Sequence, residues 1–145
     1  MRPPDIERPL VLTRRLTQVL SLAAASALVL SLFASAPSTG GILESPWDKL
    51  VHFGFFAFVT LLLAIGFGGR ARLAFIAAVL TGVADESYQA FLPTRHASWG
   101  DLVTDVVAAA CAALLAHHLL GVATPEATEP GNHRSEPDQR PRAGD

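Results

Sequence analysis

Between Leu16 and Ala36 the chain carries no charged side chain, and that run is about the length needed to cross the hydrocarbon layer of a bilayer. Three more apolar runs follow, Leu50 to Phe67, Leu73 to Leu92 and Leu102 to Leu120, separated by short polar gaps. Backbone placed in hydrocarbon must satisfy every N–H and C=O internally, so runs of this length fold as helices. The expected fold is therefore all-α: an integral membrane bundle of four transmembrane helices, at about residues 16–36, 48–68, 71–92 and 99–121. Composition points the same way, because half of the 145 residues are apolar and the mean hydropathy is positive, at +0.36. The small net charge of −2 offers nucleic acid no basic surface. The single Cys111 excludes a disulfide framework or a cysteine-based zinc site within one chain.

The flanks divide the chain further. Residues 1–15 hold Pro3, Pro4, Pro9 and four arginines and read as a disordered amino-terminal tail. Residues 16–121 form the membrane domain, and residues 122–145, rich in Pro, Glu and Arg without an aromatic residue, read as a disordered carboxy-terminal tail. Arg14 and Arg15 before an apolar stretch that ends in Ala34-Ser35-Ala36 also resemble a secretory signal. The apolar stretch is longer than such signals carry and Pro37 follows at once, so a retained first helix is the expectation. Basic residues precede the first run, join the second to the third at Arg70 and Arg72, and follow the fourth. The positive-inside rule then places both termini in the cytoplasm and turns the gaps at Pro37 to Lys49 and Pro93 to Asp101 outward. Trp47, Tyr88 and Trp99 fall near that outer interface, where amphipathic rings are at home.

With this topology, polar groups from three helices converge in depth. At 1.5 Å per residue, His52 lies about 7 Å inside a helix beginning near Trp47, Glu86 about 7 Å inside one ending near Phe91, and Asp105 about 9 Å inside one beginning near Trp99. On a helical wheel Asp85, Glu86 and Gln89 share a side with Gly82 and Ala78, and Asp101 and Asp105 share one with Ala108 and Ala112. Small residues beneath each polar group suit close packing in lipid, so the polar groups are expected to face one another. Ser45 to Asp48 and Ser98 to Asp101 also carry the S-x-x-D spacing of a capping box, which accounts for Asp48 and Asp101 without any further role. Lys49 can snorkel to the headgroups or pair with an acid. Asp85 and Glu86, adjacent near a helix carboxyl end, need a positive partner, and Arg95 just past Pro93 is the natural one. His52, Glu86, Asp101 and Asp105 are metal ligands in kind, but no tight spacing such as H-x-x-x-H joins them, and no metal or other cofactor is expected.

Asp48-Lys49-x-x-His52, then Asp85-Glu86-x-x-Gln89-x-Phe91, then Arg95-x-x-Ser98-x-x-Asp101 with a polar residue at 105, resembles the VanZ family over roughly Ser45 to Leu120. The resemblance implies a small multi-helix protein of the bacterial cytoplasmic membrane, in a family named for a member linked to low-level teicoplanin resistance. It carries no accepted catalytic mechanism. Its recurrent polar positions map onto Asp48, Lys49, His52, Glu86, Gln89, Arg95, Ser98 and Asp101, and this chain departs from it with Asp105 where Asn is frequent and Ala108 where Gly is common.

The expected function is a cell-envelope protein that binds an envelope lipid or lipid-linked cell-wall precursor through that outward cluster, with Arg95, Lys49 and His52 meeting the anionic group. A membrane-embedded enzyme, with Glu86 and His52 as general base and Arg95 stabilising a developing anion, is the rival, and no nucleophile elbow or cofactor fingerprint supports it. Proton-coupled transport through Glu86 and Asp105 would need a homo-oligomer, because four spans make a narrow bundle.

Overall fold

A computed structural model describes residues 7–38, 46–93 and 97–121, and among them every regular element is helical. Helix α1 spans Glu7–Ser35 and ends in a 3-10 turn at Ala36–Ser38; α2 spans Trp47–Gly66, α3 Ala71–Gln89 and α4 Trp99–Gly121. α1, α2 and α4 are each long and apolar enough to cross a membrane, which makes this a membrane protein in build. α3 has the length but carries Arg72, Asp85 and Glu86.

Two helix boundaries depart from expectation, each for a local reason. α1 begins at Glu7, inside the stretch expected to be a loose tail. Pro9 stands in its first turn, where a proline removes no intrahelical hydrogen bond, and the Leu and Arg residues that follow are good helix formers able to propagate the span outward. α3 stops at Gln89 instead of near Leu92. Pro93 disfavours helical backbone at the residue before it, and the chain tightens into i→i+3 bonds, with Phe91 N donating to Tyr88 O and Leu92 N to Gln89 O, both at 3.0 Å.

The helices run alternately up and down. Phe33 of α1 meets Tyr88 of α3 with ring centroids 5.6 Å apart, and His52 of α2 meets Asp105 of α4, so the end of α1, the start of α2, the end of α3 and the start of α4 share one end of the bundle. At the other end Arg14, Thr17 and Gln18 of α1 share a pocket with Gly68, Gly69 and Leu120. α2 is central, packed against the other three helices, and α4 also packs along α3.

The interior is built from small side chains. Ala64, Ala74, Ala78, Ala108, Ala109 and Ala116 are buried, with Phe56 and Val59 the bulkiest apolar groups among them. Leu, Ile, Val and Phe side chains such as Phe58, Ile76, Leu80, Val107, Leu114 and Leu119 point outward. A water-soluble bundle does the reverse. Small inside and large outside is the arrangement that lets helix backbones approach closely while lipid covers the exterior.

The α2–α3 corner is a Schellman turn. Gly69 N donates to Ala64 O at 2.8 Å and Gly68 N to Ile65 O at 3.0 Å, with φ of +68° at Gly68 and +90° at Gly69. A side chain at Gly68 would meet both the left-handed backbone penalty and the Gln18 amide nitrogen, 2.8 Å from the added carbon. Gly68→Ala is expected to cost about 1–2 kcal/mol, measured as denaturant-induced unfolding in detergent micelles.

Candidate functional site

At the end of the bundle where α2 and α4 begin and α3 ends, each helix delivers polar side chains inward. Asp85, Glu86 and Gln89 lie on one side of α3 and are buried, with Glu86 at 7% and Asp85 at 0% exposure. Gln89 stands four residues on from Asp85, one turn along the same face, and its Nε2 donates to Asp85 Oδ2 at 2.8 Å. From α4, Asp105 is 1% exposed and its Oδ1 lies 3.0 Å from His52 Nδ1 of α2. Gly82 makes room for it, since a methyl there would sit 3.3 Å from Asp105 Oδ2.

The rim is organised by a second set of contacts. Lys49 Nζ reaches across from α2 to Asp101 Oδ1 at 2.5 Å, and its side chain is 38% exposed. Asp48 accepts from the backbone N–H of Lys49 at 2.8 Å. Ser98 caps α4, its Oγ accepting from Asp101 N at 3.4 Å, yet the reciprocal arm of the expected capping box is replaced. The N–H of Ser98 donates to Glu86 Oε2 at 2.7 Å, and this ties the end of α3 to the start of α4. Asp101 is thereby left to Lys49. Sequence spacing accounts for Asp101 as a cap alone, and the cross-helix partner is not readable from it.

The structure thus gathers His52, Glu86 and Asp105 at the centre, with Asp48, Lys49, Ser98 and Asp101 above them and Gln89 beside them on Asp85. Arg95, the expected counter-ion of Asp85 and Glu86, and its neighbour His96 lie outside the described residues. His117 and His118 are at the far end of α4 with ring centroids 6.3 Å apart.

The donor types set aside on spacing are brought together by folding. His52, Glu86 and Asp105 each present a ligand-type atom within 4.8 Å of the others, from three different helices. Two of the carboxylate oxygens there, Glu86 Oε1 and Asp105 Oδ2, are buried and have no hydrogen-bond partner among the described residues. Buried polar atoms in folded proteins nearly always have one, so two bare carboxylate oxygens on neighbouring side chains are a chemical feature in themselves. Beside it, between α3 and α4, a groove of about 300 Å³ is lined by Val83, Glu86, Ser87, Ala90, Ala97, Ser98, Trp99 and Leu102. Its walls are mostly apolar and its polar corner is Glu86 with Ser98.

No family model, curated protein or solved structure matches this chain. A histidine and two carboxylates buried among helices of which three are apolar and long enough to cross a membrane are costly to retain for packing alone, and such groups as a rule mark a ligand or proton site.

Proposed function

We propose that this chain is a VanZ-like protein of a bacterial cytoplasmic membrane that binds an envelope lipid or lipid-linked cell-wall precursor at its outward end. α3 acts as the fourth span in this reading, its charged residues turned into the bundle, and both termini are cytoplasmic. The observation that carries it is the groove between α3 and α4, apolar along Val83, Ala90 and Leu102 and polar where Glu86 and Ser98 close it. A lipid presents the same two chemistries, a hydrocarbon chain and a polar head, and a cleft at the bilayer interface meets both. Half-exposed Lys49 beside the start of α4 would meet a headgroup by exchanging its Asp101 partner, and Arg95 adds a further cation close to the start of α4 in sequence. Orientation is supported by the grouping of Arg14 with the Gly68–Gly69 corner at the opposite end, next to Arg70 and Arg72, as the positive-inside rule asks of a cytoplasmic face.

Two measurements test this reading. Reporter fusions at Lys49 and Thr94 are expected to report the outer side for both, and opposite sides would dismantle the site. With topology in hand, Arg95→Ala is expected to abolish both the glycopeptide-sensitivity phenotype of a complemented deletion strain and lipid co-purification seen by native mass spectrometry, while the protein still accumulates in the membrane. Unchanged lipid binding and phenotype at full expression would remove the proposal. A membrane-embedded enzyme acting on the same lipid is the second reading, favoured by the 3.0 Å His52–Asp105 contact beside Glu86, a base with an orienting carboxylate. Product formation from lipid-linked cell-wall intermediates, followed by mass spectrometry, would distinguish it from a binder.

A further inference from the structure

The geometry points to a divalent-cation site formed by His52, Glu86 and Asp105, taking a first-row ion of the Zn²⁺ or Mn²⁺ class. Three helices contribute one donor each, and the donor atoms already lie within 4.8 Å of one another. Two atoms bound to one such ion at about 2.0–2.2 Å stand roughly 3.0–3.5 Å apart, so the 3.0 Å between His52 Nδ1 and Asp105 Oδ1 is already a ligand–ligand spacing. The ligand atoms lie at most 4.8 Å apart, so bringing Glu86 to a coordinating distance asks for a shift of roughly 1–2 Å, within the reach of side-chain rotation.

A second observation, independent of donor type, points to a ligand. Among the described residues nothing hydrogen-bonds Glu86 Oε1 or Asp105 Oδ2, which are buried on side chains 7% and 1% exposed. The other oxygens of the same carboxylates are engaged, Glu86 Oε2 by Ser98 N–H and Asp105 Oδ1 by His52. Glu86 is therefore held in place by one oxygen while presenting the other, which is how supporting hydrogen bonds orient the ligands of metal centres. The His52–Asp105 contact, whose two atoms are themselves donors to the ion, would open to admit it. A dication held between the two carboxylates would offset two negative charges that burial keeps from water.

The donor set decides the class of ion. An imidazole with two carboxylates suits Zn²⁺ or Mn²⁺, whereas an all-oxygen set would suit Ca²⁺ or Mg²⁺ and a thiolate set a softer ion. Three protein donors leave a coordination position open, the pattern of centres that act on a ligand and not of closed structural ones. Glu86 also lines the α3–α4 groove, so the open position is within reach of whatever enters there. An oxygen of a phosphate or pyrophosphate group would be a suitable fourth ligand. The cation site itself does not rest on the envelope-lipid reading, since it needs no lipid to form.

The test uses the full-length chain without an affinity tag, purified in detergent, stripped with a chelator and titrated with Zn²⁺ and separately with Mn²⁺ by calorimetry and elemental analysis. One ion per chain is expected. Glu86→Gln, Asp105→Asn and His52→Gln are each expected to weaken binding by about tenfold or more while the helical circular-dichroism signal is retained. His117→Ala with His118→Ala is expected to leave binding intact, because that pair lies at the opposite end of the bundle. Should a triad variant fail to fold, Co²⁺ loaded into the wild-type chain gives the same answer: visible bands of a nitrogen- and oxygen-ligated ion, displaced by Zn²⁺. Failure of the wild-type chain to take up Zn²⁺ or Mn²⁺ would overturn the proposal, as would full binding by all three triad variants or binding lost only with the His117 and His118 changes. Metal uptake without lipid binding would instead remove the envelope-lipid reading and leave the cation site standing.

Discussion

Replacing His52 by alanine is expected to destabilise the bundle by about 3–5 kcal/mol, the range for removing one partner of a buried ionic contact. Asp105 is 1% exposed, and among the described residues only its Oδ1 has a hydrogen-bond partner, which is His52. Take the imidazole away and the whole carboxylate is buried without a donor. The cost arises from the charge left behind and not from the volume removed, so a second change separates the two explanations. Asp105→Asn in the His52→Ala background replaces the stranded charge with a neutral amide of the same shape, and more than half of the lost stability is expected to return. Unfolding free energies from denaturant titration in mixed micelles give all four corners of this double-mutant cycle. A His52→Ala loss below about 1 kcal/mol, or no recovery in the double variant, would show that the contact contributes little to stability.

Much of the architecture was legible in the sequence because hydrocarbon leaves so few backbone options. Each of the four apolar runs is a helix, and the start of α4 at Trp99 follows directly from the Ser98 cap. The helical wheel was equally informative for α3, where Asp85, Glu86 and Gln89 are buried together. What could not be read was which group meets which across helices. Spacing along one segment makes Ser98 and Asp101 a closed local pair, and only the approach of α3 shows that Glu86 takes the Ser98 N–H and Lys49 takes Asp101. The same limit applies to His52, Glu86 and Asp105, which lie 34 and 19 residues apart in sequence and share no motif. Ligand sets assembled from separate helices leave no spacing signature. The amino-terminal boundary departed for a different reason: polarity and proline content argue against a core, but a helix already nucleated inside a span can extend through such residues without burying anything. Leu10, Leu12 and Leu16 are accordingly exposed along it.

The second large effect is expected at Phe56, the bulkiest side chain buried at 0% exposure in an interior otherwise made mostly of alanine. In water, Phe→Ala in a core costs about 3–5 kcal/mol, of which part is the transfer of the ring out of solvent. In a bundle covered by lipid that transfer part largely disappears, because the unfolded chain is itself in apolar surroundings. What remains is the dispersion energy forfeited by the atoms that border an unfilled space, so Phe56→Ala is expected to cost about 2–3 kcal/mol. Alanine neighbours cannot extend into the vacated volume, and the ring also borders the close approach at Gly82, where its Cε1 would lie 3.5 Å from an added carbon behind Asp105. Function should suffer beyond stability. His52 stacks on Phe56 with centroids 6.3 Å apart and planes 17° from parallel, so the ring is the floor that holds the imidazole level with Asp105. Phe56→Leu keeps most of the volume and loses the flat surface, and it is expected to retain most of the stability while weakening Zn²⁺ or Mn²⁺ uptake. Unfolding titrations and calorimetry on the two variants read these quantities separately. If Phe56→Leu bound metal as tightly as the wild-type chain, His52 would have to be oriented by Asp105 alone, and the aromatic floor would be packing and nothing more.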